Sequence, residues 1–260
     1  MSELTITLPD GSTRVLPEGA TGADLAADIG PGLARAALIV TVDGDGRDLD
    51  RVLPDGCSVS IVTADSDDGL HTIRHSTAHV LAQAVLDLWP GATYAIGPPI
   101  EHGFYYDFEL PGGATFNNAD LEAIEARMRE VIEADQAFER HEADAGEALD
   151  LFAGHRYKRE IIEQVTSGAA SGEMAGEAST DGSVTYYRNG GGFIDLCLGP
   201  HVPSTGRLGH FALQKVAGAY WRGDEKQPML QRIYGTAWAD KKALKAHLHR
   251  LVEAEKRDHR

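Results

Sequence analysis

The sequence predicts an α+β protein with a small first part and a larger second part. Short alternating polar and apolar segments separated by turn signals fill roughly the first 64 residues, the mark of paired strands. Longer stretches with apolar residues at helical spacing follow, mixed with extended segments but without the regular strand and helix alternation of a parallel sheet. At 260 residues the chain also exceeds the roughly 100–200 residues usual for one domain.

In the first part, Leu4-Thr5-Ile6-Thr7-Leu8 alternates, Pro9-Asp10-Gly11 turns and the pattern resumes near Val15, which predicts a hairpin. A short helix is expected from Thr21 to Ile29, stopped by Gly30-Pro31, while Leu38-Ile39-Val40-Thr41-Val42 and Val59-Ser60-Ile61-Val62 read as strands. The order β-β-α-β-β predicts a small ubiquitin-like β-grasp module over 1–64. The polar, turn-prone run Asp65-Ser66-Asp67-Asp68-Gly69 predicts the boundary.

Beyond it, a helix is expected from Thr72 to Trp89, with an apolar stripe of Ile73, Val80, Leu81, Val85 and Leu88 and a stop at Pro90-Gly91. Extended segments are expected around Tyr94-Ala95-Ile96 and from Gly103 to Leu110. Asn118 reads as the cap of a helix through Ala134, with Leu121, Ile124, Met128 and Val131 on one face. The Gly-, Ala- and Ser-rich run 167–182 reads as a surface loop with no assigned role. Strands are expected at Val184 to Arg188 and Gly192 to Leu198, and a basic helix from Asp240 carries Leu244, Leu248 and Leu251. The larger part is thus expected to build helices on a central antiparallel sheet.

Composition narrows the function classes. No apolar run approaches the roughly 20 residues needed to span a bilayer. The start, MSELTITLPDG, lacks the basic stretch and apolar core of a secretory signal, so a cytoplasmic location is expected. Cys57 and Cys197 make no disulfide framework. The net charge of −16 argues against DNA and RNA if spread evenly, but it is uneven: residues 1–70 carry −9 and residues 205–260 carry +6. An acidic body with an RNA-facing carboxyl-terminal part fits this polarity, and so does a merely solvated basic helix.

His75 and His79 stand four apart in RHSTAH, which on a helix stacks both imidazoles on one face about 6 Å apart. One such pair is a weak signal. Cys197 and His201 in DLCLGPH repeat the spacing, with Gly199-Pro200 bending the chain away from a helix. Four N and S donors suit tetrahedral zinc. They equally suit a metal-free pocket in which neutral imidazoles take and give protons, and a cysteine nucleophile paired with histidine is a third reading.

The motifs IRHSTAH, AIGPPIEHGFYYDF, DLCLGPHVPSTG, KVAGAYWRGD and MLQRIYGTAWADKKAL, ending in EAEKRDHR, resemble the corresponding stretches of bacterial threonyl-tRNA synthetases over nearly the whole chain. The resemblance implies three segments: a β-grasp TGS domain at 1–64, an editing domain at 65–240 and, at 241–260, a linker helix towards a catalytic domain that lies outside this chain. It implies post-transfer editing, the hydrolysis of serine from mischarged seryl-tRNA(Thr), with threonyl-tRNA(Thr) sterically rejected. The partner so implied is the acceptor end of tRNA(Thr) carrying serine, with no DNA and no membrane.

By the same resemblance, His75 and Lys158 are expected to activate water, and His79, Tyr106, Asp195, Cys197 and His201 to bind substrate. No metal is required for this scheme, although related alanyl-type editing domains bind zinc, which leaves zinc at His75, His79, Cys197 and His201 as an option. ATP, a separate zinc site and the contacts of a homodimer would belong to the domains beyond this chain, so no aminoacylation is expected from it. EKRDHR stops within what reads as a continuing charged helix, so a piece of a longer protein is expected, with an independent trans-editing protein as the alternative. A tRNA-docking module without catalysis and a zinc-dependent hydrolase of another ester are the alternatives. The purpose of the β-grasp module is left open.

Overall fold

The computed structural model describes residues 2–168, 183–190 and 192–258, so the expected loop at 167–182 lies, but for Ser167 and Gly168, outside the described residues. The chain forms two compact units, each assembled from two separated stretches: Met1–Thr72 with Asp135–Arg207, and Ile73–Ala134 with Leu208–Arg260.

The first unit opens with the β-grasp module. Strands β1 (Glu3–Thr7) and β2 (Thr13–Pro17) pair antiparallel as a hairpin. Helices α1 (Gly22–Ile29) and α2 (Pro31–Ala36) follow, then β3 (Ala37–Val42), β4 (Asp45–Asp48) and β5 (Val59–Thr63). β3 lies antiparallel between β4 and β5, and a parallel bridge from Thr7 to Ser58 ties the hairpin to this sheet. α1 begins at a capping box: the Thr21 hydroxyl accepts from the Asp24 N–H while the Asp24 carboxylate accepts from the Thr21 N–H. Leu4, Ile6, Leu16, Leu25, Val40 and Val59 fill the core.

Two elements of this module exceed the sequence reading. Pro31 ends one helix and opens another, because its fixed φ and missing N–H cost nothing in a first turn. β4 is a short acidic strand without alternation, held by its pairing to β3.

The rest of the unit comprises β9 (Phe138–Ala143), α5 (Ala145–Leu151), α6 (Arg156–Thr166), β10 (Val184–Asn189) and β11 (Phe193–Leu196). β10 pairs antiparallel with both β9 and β11, giving the order β11-β10-β9. The sequence reading had no strand at β9 and no helices at α5 and α6. α5 starts at a capping box of Asp144 and Glu147. α6 buries Tyr157, Lys158, Ile161 and Ile162 on one face, and the charge of Lys158 within that stripe, next to Arg156, Arg159 and Glu160, masks the period.

Helix α3 (Asp67–Leu88) joins the two units' stretches and starts five residues before the expected Thr72. Ser66 Oγ accepts from the Gly69 N–H at 3.1 Å, and Asp67 and Asp68 oppose the positive end of the helix dipole. The polar run read as a boundary thus also starts a helix.

The second unit adds β6 (Thr93–Tyr94), β7 (Pro99–Ile100), β8 (Gly103–Glu109), α4 (Asn118–Glu133), β12 (Phe211–Tyr220), β13 (Met229–Ala237) and α7 (Lys241–Asp258). Its antiparallel sheet runs β12-β13-β8-β6, with β7 also on β8. α4 packs on β12 and buries Leu121, Ile124, Met128 and Val131, the predicted stripe. Its cap is Asn117, one residue before the expected Asn118, whose side chain accepts from the N–H groups of Ala119 and Asp120. β12 and β13 lay outside the sequence reading. Arg232 sits within β13 because Asp107, its register partner on β8, accepts two hydrogen bonds from its guanidinium at 2.7 and 2.8 Å.

Asp240 caps α7 by accepting from the Ala243 N–H at 2.8 Å. Leu244 and Leu248 are half-buried, but Leu251 is 39% exposed, so the expected stripe ends a turn early. His247 is buried instead, its ring 4.9 Å from that of Trp238. Among the described residues no helix is long and apolar enough to cross a membrane.

Candidate functional site

The predicted side chains divide between the units. Lys158, Asp195, Cys197 and His201 belong to the first; His75, His79 and Tyr106 belong to the second.

In the first unit, α6 carries Lys158 on its apolar face, so the side chain is driven into the interior and is completely buried. Its ammonium meets Asp195 Oδ1 at 2.7 Å, a fully desolvated ion pair. Asp195 and Cys197 stand two apart where β11 runs out into the following loop, and both are buried. Cys197 Sγ accepts from the Gly199 N–H at 3.1 Å and lies 3.4 Å from His201 Nε2. The loop bends as the Gly199-Pro200 pair demanded. Gly199 has φ +75°, and a Cβ there would fall 2.0 Å from Tyr187 Oη, so no other residue fits. The His201 ring is stacked on Phe138 at 4.8 Å and meets the edge of Tyr187 at 4.5 Å.

In the second unit, His75 and His79 occupy one face of α3 with ring centroids 5.2 Å apart, close to the spacing argument's figure. His79 is buried and His75 partly so. Tyr106 lies inside the sheet on β8, stacked on Phe108 at 5.1 Å and tilted against Tyr94 at 6.2 Å. Gly97 passes so close over its ring that a Cβ would fall 2.0 Å from Tyr106 Cδ2, which fixes the ring's position.

Several residues were missed by sequence reasoning. Asp48, the last residue of β4, is buried, accepting from the Tyr187 hydroxyl at 2.7 Å and from the His201 N–H at 2.8 Å. Burial pushes its carboxyl above the ordinary range, and the two hydrogen bonds oppose that push. Burial, helped by the Asp48 charge, raises the Tyr187 phenol as well. His155 precedes α6, and its imidazole is held below the usual histidine value by burial first and then by the Lys158 charge. A single aspartate in an acidic module carries no sequence signal for such a role.

His75, His79, Cys197 and His201 supply the donor types that could hold a metal ion. Two imidazoles and one imidazole with a thiol fit zinc chemistry without demanding it.

Residues 4–63 match the family described as the TGS domain, and residues 184–234 match the family described as the threonyl and alanyl tRNA synthetase second additional domain. The chain is 54% identical over 260 residues to the threonine–tRNA ligase of Maricaulis maris, covering 99% of this chain and 38% of that protein. It is 51% identical over 261 residues to the threonine–tRNA ligase of Paramagnetospirillum magneticum, covering 99% and 38%. The chain corresponds to the amino-terminal region of bacterial threonyl-tRNA synthetases and spans under two fifths of the length of these relatives.

Proposed function

We propose that this chain hydrolyses serine from mischarged seryl-tRNA(Thr) and spares threonyl-tRNA(Thr), in the cytoplasm, with 1–64 as TGS domain, 65–240 as editing domain and 241–260 as linker helix. The observation that carries the reading is the cluster of Lys158, Asp195, Cys197 and His201. All four are at most 2% exposed, and the last three fall inside the stretch matching the synthetase second additional domain. Buried charge of this kind is costly, and it is concentrated where a polar substrate would be recognised.

In this reading the predicted residues take the roles that the resemblance implies. A water oxygen attacks the ester carbonyl carbon and gives its proton to His75, acting as general base. Negative charge grows on the carbonyl oxygen, and the Lys158 ammonium stabilises it. Collapse breaks the bond to the ribose oxygen, which takes a proton, and serine leaves as its acid. His79, Cys197 and His201 hold the seryl group and the terminal adenosine, Asp195 meets the seryl ammonium, and Tyr106 shapes the wall. Threonine's extra methyl meets a wall where serine has room. A zinc ion on His75, His79, Cys197 and His201 would supply Lewis acidity; no step above depends on it.

The test is deacylation of seryl-tRNA(Thr) by protein treated with chelator and shown metal-free. Full activity is expected. Activity that vanishes with the metal and returns with zinc would favour the zinc hydrolase, and bound but intact seryl-tRNA(Thr) would leave only a docking module.

A further inference from the structure

We propose that Asp48 of the β-grasp module is a positioning residue for the editing reaction: its carboxylate sets His201 by holding the loop and the aromatic ring that fix this histidine. The inference rests on the function proposed above and gives the β-grasp module a task in it.

The geometry is a two-armed brace. Oδ1 of Asp48 accepts the backbone N–H of His201 at 2.8 Å, and Oδ2 accepts the Tyr187 hydroxyl at 2.7 Å. Tyr187 in turn stands edge-on to the His201 ring, 4.5 Å away, and closes over Gly199. One carboxylate therefore governs the backbone beneath the imidazole and the surface against which the imidazole rests. The brace crosses 139 residues to Tyr187 and 153 to His201, so only the folded module delivers it.

The same strand also contacts the loop at Gly46, where a Cβ would lie 3.4 Å from Pro200 Cγ. On the other flank the His201 ring rests on Phe138, stacked at 4.8 Å, and packing beyond that contact is incomplete. A cavity of about 250 Å³ opens there, with Asp48, Leu49, Phe138 and His201 in its wall. Where side chains leave space, hydrogen bonds must fix position, and a shift of about 1 Å in a catalytic site can cost on the order of 100-fold in rate.

Two variants of the full chain test this. Asp48→Leu keeps the branched shape and deletes both acceptors. Asp48→Asn keeps an acceptor for the His201 N–H and offers an N–H to Tyr187 Oη. The expected result is a fall of about tenfold or more in the single-turnover rate on seryl-tRNA(Thr) for Asp48→Leu, with KM within about threefold of wild type and the rate largely restored in Asp48→Asn. The His201 imidazole resonances, followed by NMR, should move in Asp48→Leu and return in Asp48→Asn.

A wild-type rate in Asp48→Leu, or unmoved His201 resonances, overturns the proposal. Should Asp48→Leu fail to fold, Tyr187→Phe removes one arm alone, and unmoved His201 resonances in it are equally fatal. If the wild-type chain hydrolyses nothing, the editing reading falls, while the resonances still decide whether Asp48 sets His201.

Discussion

Lys158 and Asp195 place opposite charges in a region with no solvent, so each exists at the other's expense in desolvation. Replacing Lys158 with Met leaves the Asp195 carboxylate in the interior without its ammonium, a defect of about 3–5 kcal/mol. Lys158→Met is therefore expected to lower Tm by roughly 10 °C in a calorimetric scan as well as to remove hydrolysis. Adding Asp195→Asn should recover much of the Tm and none of the rate. A stable, active Lys158→Met protein would take lysine out of both fold and reaction. Of the seven predicted site residues, the sequence motifs placed Cys197 and His201 in a bent loop and His75 and His79 on one helix face, as they are found. The brace at Asp48 was illegible, because a hydrogen bond to a backbone 153 residues away leaves no local pattern.

Elements were legible where one face alone is buried. The α4 stripe and the hairpin of β1 and β2 carry their periods openly, and both form as read. β12 and β13 escaped because their residues are chosen by neighbours: Arg232 in a strand makes sense only once Asp107 faces it, with the guanidinium 3.7 Å from the Tyr105 ring. α7 offers a test at this scale. His247 anchors it beside Trp238 and His102, and its pKa is lowered by burial first and then by Arg250, His102 and Arg74. A depressed value means that the neutral ring fits the docked helix. Its contribution is complete above the ordinary histidine value of 6.5 and is lost as pH falls through the lower value in the fold. Amide protection factors across 244–248, corrected for the intrinsic pH dependence of exchange, should fall below pH 6.5, and His247→Phe should flatten that dependence. Equal protection at pH 7 and pH 5 in the wild type would contradict this docking.

At the scale of the whole molecule, charge and segment order act together. Residues 1–70 carry −9 and residues 205–260 carry +6, so the β-grasp stretch repels a polyanion and the carboxyl-terminal stretch attracts one. In this account the module contributes by bracing the loop of Cys197 and His201, leaving RNA contact to other parts. The proposed activity discriminates between two esters that differ by one methyl, a difference that a well-shaped pocket can exploit by about 10–200-fold. The most direct measurement is the ratio of single-turnover deacylation rates of this chain on seryl-tRNA(Thr) and threonyl-tRNA(Thr) under identical conditions. The account predicts a ratio of about 100 or more in favour of the seryl ester; equal rates on the two esters, or no hydrolysis of either, would contradict it.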